Sequence, residues 1–152
     1  MKNRREMLHH SAVVAGLLAS TGLFPQFAHA AFNKDAFDAK TVAEALKAYG
    51  AGPITESKDV TVTGPDIAEN GAVVPLGASS TLAGVKHLLI MVEKNPSVLV
   101  AMFNVTESID ASITTRAKMG QSSDVYAVAV MNDGRALYAK KEVKVTLGGC
   151  GG

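Results

Sequence analysis

The segment DVYAVAVMNDGRALYAKKEVKVTL, residues 124–147, decides the fold class of this chain. Its two halves, residues 124–131 and 136–147, alternate apolar side chains with others, which is typical of strands that bury one face. Asn132-Asp133-Gly134 stands between them, and an Asp-Gly pair flanked by alternating runs is a strong hairpin signal. The segment therefore predicts two neighbouring antiparallel strands.

Shorter runs of the same kind fill the chain before this hairpin. They predict five further strands, near residues 58–63, 72–76, 85–93, 98–105 and 111–118, most of them separated by turn residues such as Gly64-Pro65 and Asn95-Pro96. About seven strands in ~90 residues, with no helical crossovers, predict an all-β fold, an immunoglobulin-like antiparallel β-sandwich. The Cys and Trp core markers of antibody domains are absent, which excludes that type of domain only.

One amphipathic helix is predicted ahead of the strands. Asp38 is a capping residue, Gly50 is a stop signal, and between them apolar side chains recur at helical spacing. These side chains are Val42, Ala45, Leu46 and Tyr49.

Two predicted strands are apolar on both of their faces. Residues 88–92 read LLIMV and residues 98–103 read VLVAMF, whereas a strand with one face in water alternates with polar residues. Something is therefore expected to cover part of the outer face. The N-terminal helix, a central position in the sheet, and a tightly bound partner subunit all remain open explanations.

Residues 1–30 have the three parts of an export signal. A basic start with Lys2, Arg4 and Arg5 precedes an apolar stretch over residues 12–24, and Ala28-His29-Ala30 places the cleavage site before Ala31. The adjacent arginines favour the twin-arginine route, which leads to the periplasm. A transmembrane anchor is the alternative, but an apolar stretch of about 13 residues is shorter than the ~20 that span a bilayer.

Composition limits the function classes of the 152-residue chain. It is 47% hydrophobic and 19% charged, which is globular, and its 15 basic and 14 acidic residues exclude a protein that grips nucleic acid or a membrane by charge. Without the three basic residues and one acidic residue of the signal, 12 basic and 13 acidic residues remain. Residues 31–147 are then one near-neutral domain, and residues 148–152 form a tail.

The tail, Gly148-Gly149-Cys150-Gly151-Gly152, is the most unusual feature of the sequence. Four glycines in five positions behave as a flexible linker, so they predict a swinging arm. Cys150 is the only cysteine, and an exposed thiol in an oxidising compartment is at risk of oxidation unless it has a use. The pattern indicates a reactive thiol on a tether, with Cys150 as the site of covalent substrate attachment.

Other interpretations of Cys150 are weaker, with one exception. A metal site would lack co-ligands, prenylation needs the cysteine one position earlier, and a meaningless tail rarely places a sole cysteine among glycines. Ubiquitin-like sulfur carriers also end in Gly-Gly, but they need ATP, from which export removes the chain. A fixed disulfide to another chain, in an exported structural or adhesive subunit, stays as the alternative.

The rest of the chain offers no catalytic set. His87 is the only histidine after the signal and lies in an apolar strand, where a structural role is the commoner one. Nothing places a serine nucleophile or a carboxylate beside it. The carboxylates of Asp59, Asp66, Glu69, Asp124 and Asp133 fall in or near turns, where they favour turn conformations. We expect no catalytic residue, no metal and no cofactor.

Together, the twin-arginine signal, the short helix, the seven-strand domain and the terminal Gly-Gly-Cys-Gly-Gly resemble the SoxY family of sulfur carriers, which serve the periplasmic thiosulfate-oxidising Sox system. The stretches Gly84-Val85-Lys86-His87 and TTRAKMG at 114–120 are also similar to that family.

This resemblance implies a heterodimer with SoxZ, made of two immunoglobulin-like sandwiches, and covalent cargo on Cys150. SoxXA would join thiosulfate to the cysteine as an S-thiosulfonate, SoxB would release sulfate, and SoxCD, where present, would oxidise the remaining persulfide sulfur. The chain itself would catalyse nothing. Its partners would be these proteins and not nucleic acid or a membrane.

Overall fold

The computed structural model describes Val13 and residues 33–146, and every element below belongs to the unit that starts at Asn33. Apart from Val13, the predicted export signal lies outside the described residues. Two short helices precede a series of strands: α1 (Lys34–Asp38), α2 (Val42–Ala48), β1 (Ile54–Glu56), β2 (Val60–Thr63), β3 (Ile67–Ala68), β4 (Val74–Ser80), β5 (Val85–Val92), β6 (Leu99–Asn104), β7 (Ser112–Ala117), β8 (Ser123–Met131) and β9 (Ala136–Val145). Among the described helices none is long and apolar enough to cross a bilayer.

The strands form two facing sheets. The larger has the order β1-β9-β8-β5-β6, with β3 beside the end of β9, and the smaller has the order β2-β4-β7. All the long pairings are antiparallel, which confirms the predicted immunoglobulin-like sandwich. The short strands β1 and β3 run parallel to β9 instead, a feature that the prediction did not contain.

The hairpin between β8 and β9 is confirmed. Gly134 donates its N–H to the carbonyl of Met131 at 3.1 Å, and Met131 donates to the carbonyl of Arg135 at 2.8 Å. Gly134 has a φ of 84°, in the left-handed region that a side chain with a Cβ rarely adopts. The Asp-Gly signal therefore acts through glycine at the position where the turn reverses the chain.

The predicted amphipathic helix is present as α2, but it starts later than predicted, and a second helix, α1, precedes it. Asp38 ends α1 and pairs with Lys34, while Thr41 caps α2: its hydroxyl accepts from the Glu44 N–H, and the Glu44 carboxylate accepts from the Thr41 N–H. This reciprocal capping box satisfies two amide groups that the first turn leaves free. Gly50 does follow the end of α2, with a φ of 67°.

Several strand limits also differ from the prediction. Strands β1 and β3 were missed because three and two residues are too few to show alternation. Strand β4 continues to Ser80, beyond the predicted end at 76, through small residues of low strand propensity. Strand β9 ends at Val145, and Leu147 lies outside the described residues.

The doubly apolar strand β5 is covered by parts of this chain on both faces. Leu88, Ile90 and Val92 pack between the two sheets, while Leu89 and Met91 pack against α1 and α2. All five are 0% exposed. The helices are thus the cover for β5, whereas most apolar side chains of the edge strand β6 stay half-buried.

Gly77 lies where two strands approach it closely, so Gly77→Ala is expected to destabilise the fold. An added Cβ would lie 2.3 Å from Thr63 Oγ1 and 3.1 Å from the Ile113 carbonyl oxygen. Overpacking of this kind costs about 1–3 kcal/mol of unfolding free energy, measurable by urea denaturation. Gly52→Ala is the matched control, since nothing lies within 4 Å of its Cβ position. Equal stability of the two variants would contradict this interpretation.

Candidate functional site

The predicted attachment site itself is not described. Cys150 and its neighbours Gly148, Gly149, Gly151 and Gly152 lie outside the described residues, which end at Thr146. What the structure does describe is the surface from which this tail leaves the sandwich. We call this surface the tail root, and it consists of residues 144–146 with their partners at 66–69 and at Ser122.

Backbone hydrogen bonds hold the tail root to β3. Lys144 donates its N–H to the Asp66 carbonyl at 3.0 Å, and Thr146 donates to the Ala68 carbonyl at 3.1 Å. The Thr146 hydroxyl also donates to the Glu69 carbonyl at 3.1 Å. The last described residue is therefore tied to a neighbouring segment by two bonds of its own.

Ser122 holds the tail root from the other side. Its Oγ accepts the N–H of Val145 at 2.9 Å, so the end of β9 has a partner on each flank. Sequence reasoning did not identify Ser122, Thr146 or the segment 66–69. The contacts join residues 23 to 78 positions apart, and a two-residue strand leaves no pattern. The tail thus starts from a fixed point.

Lys141 anchors the segment that leads into β3. Its Nζ donates to the Gly64 carbonyl at 2.6 Å and lies 2.9 Å from Asp66 Oδ1. The hydrogen bond and charge of Lys141 hold the pKa of Asp66 below its ordinary value. Asp66 was expected only to favour a turn. In the structure it also forms an ion pair with Lys141.

The neighbours of the His87 ring suit a structural role. Its Nδ1 lies 2.8 Å from Asn104 Oδ1, and its ring centroid is 5.4 Å from that of Tyr49. Burial lowers the pKa of His87, the hydrogen bond to Asn104 opposes this, and the charge of Lys86 adds to the lowering. The neutral imidazole is favoured, and the contacts of the ring are an amide and a phenol.

His87 is also too far from the tail to serve Cys150. It is level with Val130 and Ala136, ten residues of strand before Thr146. At ~3.3 Å per residue this is about 33 Å. Cys150, four residues beyond Thr146, can move only about 14 Å from it. Activation of this thiol by His87 of the same chain is thereby excluded.

A cleft of about 990 Å³ opens at the opposite end of the sandwich, between the β4–β5 and β6–β7 loops and Asn132. Glu107 and Asp110 line it together with hydroxyl and apolar side chains, and its lining includes no basic side chain. Two carboxylates repel anions, so this cleft does not suit a sulfur oxyanion.

Metal ligands are not grouped in the described part of the chain. Within residues 33–146, no three His, Cys, Asp or Glu side chains are placed to hold an ion.

Comparison with known proteins decides the family. A family model described as "Sulfur oxidation protein SoxY" matches residues 45–150, from within α2 to the tail cysteine. The chain belongs to the SoxY family. The match spans all nine described strands of this SoxY-family chain and extends to residue 150, the only cysteine in the sequence. No curated protein sequence matches it.

Solved structures agree on the fold. The sulfur carrier protein SoxY from Chlorobium limicola f thiosulfatophilum is 33% identical, with a TM-score of 0.61 over 69% of this chain and 94% of that one. A superoxide reductase (neelaredoxin) from Ignicoccus hospitalis is 16% identical, with a TM-score of 0.53 over 60% of this chain and 94% of that one. The second likeness concerns the fold alone.

Proposed function

We propose that this SoxY-family chain is a non-catalytic carrier that holds thiosulfate-derived sulfur covalently on Cys150. The observation that carries the proposal is the family match, which extends to residue 150, the only cysteine of the chain. The similar Chlorobium limicola protein is itself a sulfur carrier. The anchored tail root adds support, since a carrier needs a defined point from which its tether starts.

The chemistry of a thiolate suits this role. Cys150 and thiosulfate together lose two electrons to an acceptor, and one S–S bond forms between them, giving an S-thiosulfonate. Hydrolysis then cleaves its terminal S–S bond with one water, releasing sulfate and two protons and leaving a persulfide. Sulfur forms and breaks such bonds by exchange, which a serine hydroxyl cannot do.

Partner enzymes are proposed to perform each step. SoxXA, a c-type cytochrome, would take the two electrons, SoxB would carry out the hydrolysis, and SoxCD, where present, would oxidise the persulfide sulfur. SoxZ would form the heterodimer with this chain. No cationic side chain stands within the tail, so these enzymes would also activate the thiol.

Location in the periplasm is part of the proposal. Residues 1–30 would direct twin-arginine export and be removed before Ala31, so the working protein would be residues 31–152. This compartment also keeps the carrier apart from the reducing thiols of the cytosol.

Intact mass spectrometry of the exported protein tests the proposal. In cells oxidising thiosulfate, we expect the mass of residues 31–152 plus sulfur-containing groups that vanish on reduction and map to Cys150. The same sample without thiosulfate is the control. A single unmodified species, or a permanently cross-linked one, would contradict the carrier and favour the structural or adhesive subunit.

A further inference from the structure

Exposed large apolar side chains are few in the described domain. One of them, Ile67, belongs to the tail root, and another, Val73, lies at the same end of the sandwich. Ile67 is 58% exposed, Val73 is 55% exposed and Ile109 is 56% exposed. Ile67 pairs with Lys144 across β3 and β9. Val73 directly precedes β4, whose first residue pairs with the last residue of β7 at the same end of the sandwich. Ile109 lines the cleft at the opposite end.

The length of chain beyond Thr146 limits what can approach Cys150. Four residues span at most about 14 Å when fully extended. A catalytic group that reacts with the thiol must therefore come within that distance of Thr146, plus the short cysteine side chain. If the group lies inside a cleft, the depth of the cleft uses part of the span. The rim of the cleft must then contact the surface around the tail root.

From this placement we infer that Ile67 and Val73 form a docking surface for the rim of the active-site clefts that receive Cys150. The inference rests on the proposed carrier function. The occupant is an enzyme surface with apolar side chains around its cleft, since two isolated aliphatic side chains offer no charge or hydrogen bond to recognise. The neighbouring charges at Glu69 and Lys144 are of opposite sign, so they select no strongly charged partner.

A small contact suits a carrier that visits several enzymes in turn. Two side chains bury far less area than a stable complex needs, so the bound enzyme can leave after each step. Both side chains also stand on segments bound to the sandwich, because Ala68 accepts from Thr146 and Gly71 accepts from Met119 at 2.7 Å. The docking surface and the start of the tail therefore keep a constant position relative to each other.

The test uses full-length mature carrier in complex with its heterodimer partner. Tetrathionate loads Cys150 chemically, because the thiolate displaces thiosulfate and keeps an S-thiosulfonate. Sulfate release by the hydrolase is then measured against carrier concentration. For the double variant Ile67→Asp/Val73→Asp we expect an increase of about tenfold in KM with little change in kcat. Ile109→Asp, equally exposed at the far end, should behave as wild type.

Three controls separate the possible causes. Tetrathionate loading should be the same in all variants, because it needs no docking. Partner binding should also be unchanged, and its loss in the double variant would overturn the inference by making this surface a subunit interface. If the aspartates perturb folding, Ile67→Ala/Val73→Ala replaces them, with a smaller rise in KM expected.

The remaining outcomes are equally decisive. An unchanged KM, or an equal rise for Ile109→Asp, would overturn the docking surface while the carrier function stands. A wild-type carrier that loads at Cys150 but releases no sulfate would overturn the proposed function and the docking surface with it.

Discussion

Cys150→Ser is expected to abolish thiosulfate oxidation that depends on this chain, with no loss of fold. The hydroxyl of serine cannot form the S–S bond that joins thiosulfate to the carrier, and the chain has no second cysteine to replace it. Glycine has no side chain to bury in a core, and the described residues of both apolar clusters lie between Ala36 and Val145. Sulfate production by the reconstituted enzymes, thermal unfolding and partner binding are the three measurements.

A relocated thiol is the matched control for this prediction. Gly148→Cys/Cys150→Ser keeps one thiol in the tail but shortens its span from Thr146 by about 7 Å. Tetrathionate should still load it, whereas enzymatic turnover should fall, because the thiol no longer reaches the same depth. Full activity of Cys150→Ser would refute the carrier proposal, and full activity of the relocated thiol would refute the importance of reach.

Leu89→Ala is expected to destabilise the isolated chain by about 2–5 kcal/mol, because it opens a cavity in a closed core. Leu89 is 0% exposed and packs with Leu46 and Ala45 of α2 under the helical cover. Urea denaturation of the chain without its partner measures the effect. The loss of stability should not require the partner subunit, since the helices that cover Leu89 belong to the same chain.

Met102→Ala provides the comparison on the same face of the sheet. Met102 lies directly across from Leu89 on the edge strand β6 and is only half-buried, so its truncation should cost much less. If Leu89→Ala matters only when the partner subunit is bound, the helical cover is incomplete in solution and the partner explanation for the apolar strands gains support.

The elements that sequence reasoning predicted are those whose signals are local. The hairpin at Asp133-Gly134 depends on one glycine and on the runs beside it, and β5, β6, β7 and β8 alternate or stay apolar over six to nine residues. The helix start was misplaced because Asp38 and Thr41 are both good caps three residues apart. Thr41 is the cap of α2, because Glu44 three residues later completes the capping box with it.

The tail root could not be predicted, because its contacts are long-range. Ile67 and Ala68 show no strand pattern, and they become a strand only where β9 offers its edge to them. Likewise, the pattern of β5 leaves open whether its outer face is covered by the helix, by a central position in the sheet or by a partner subunit, and the packing of the helices on Leu89 and Met91 decides this. Periodicity shows which side chains are apolar, but it does not show which element of the structure packs against them.

The amino-acid sequence by itself determined the sandwich class, the β8–β9 hairpin and the family resemblance that the comparisons confirmed, because each depends on residues adjacent in the chain. It also supplied the proposal that Cys150 is the attachment site, which stays a prediction. Tertiary structure alone decided that Thr146 is tied to β3, that Ile67 and Val73 lie at the end of the sandwich from which the tail starts, and that His87 lies level with the opposite end of β9. These relations arise when strands that are distant in the sequence pair with each other. A short stretch of sequence does not contain the information on which distant strand it will pair with.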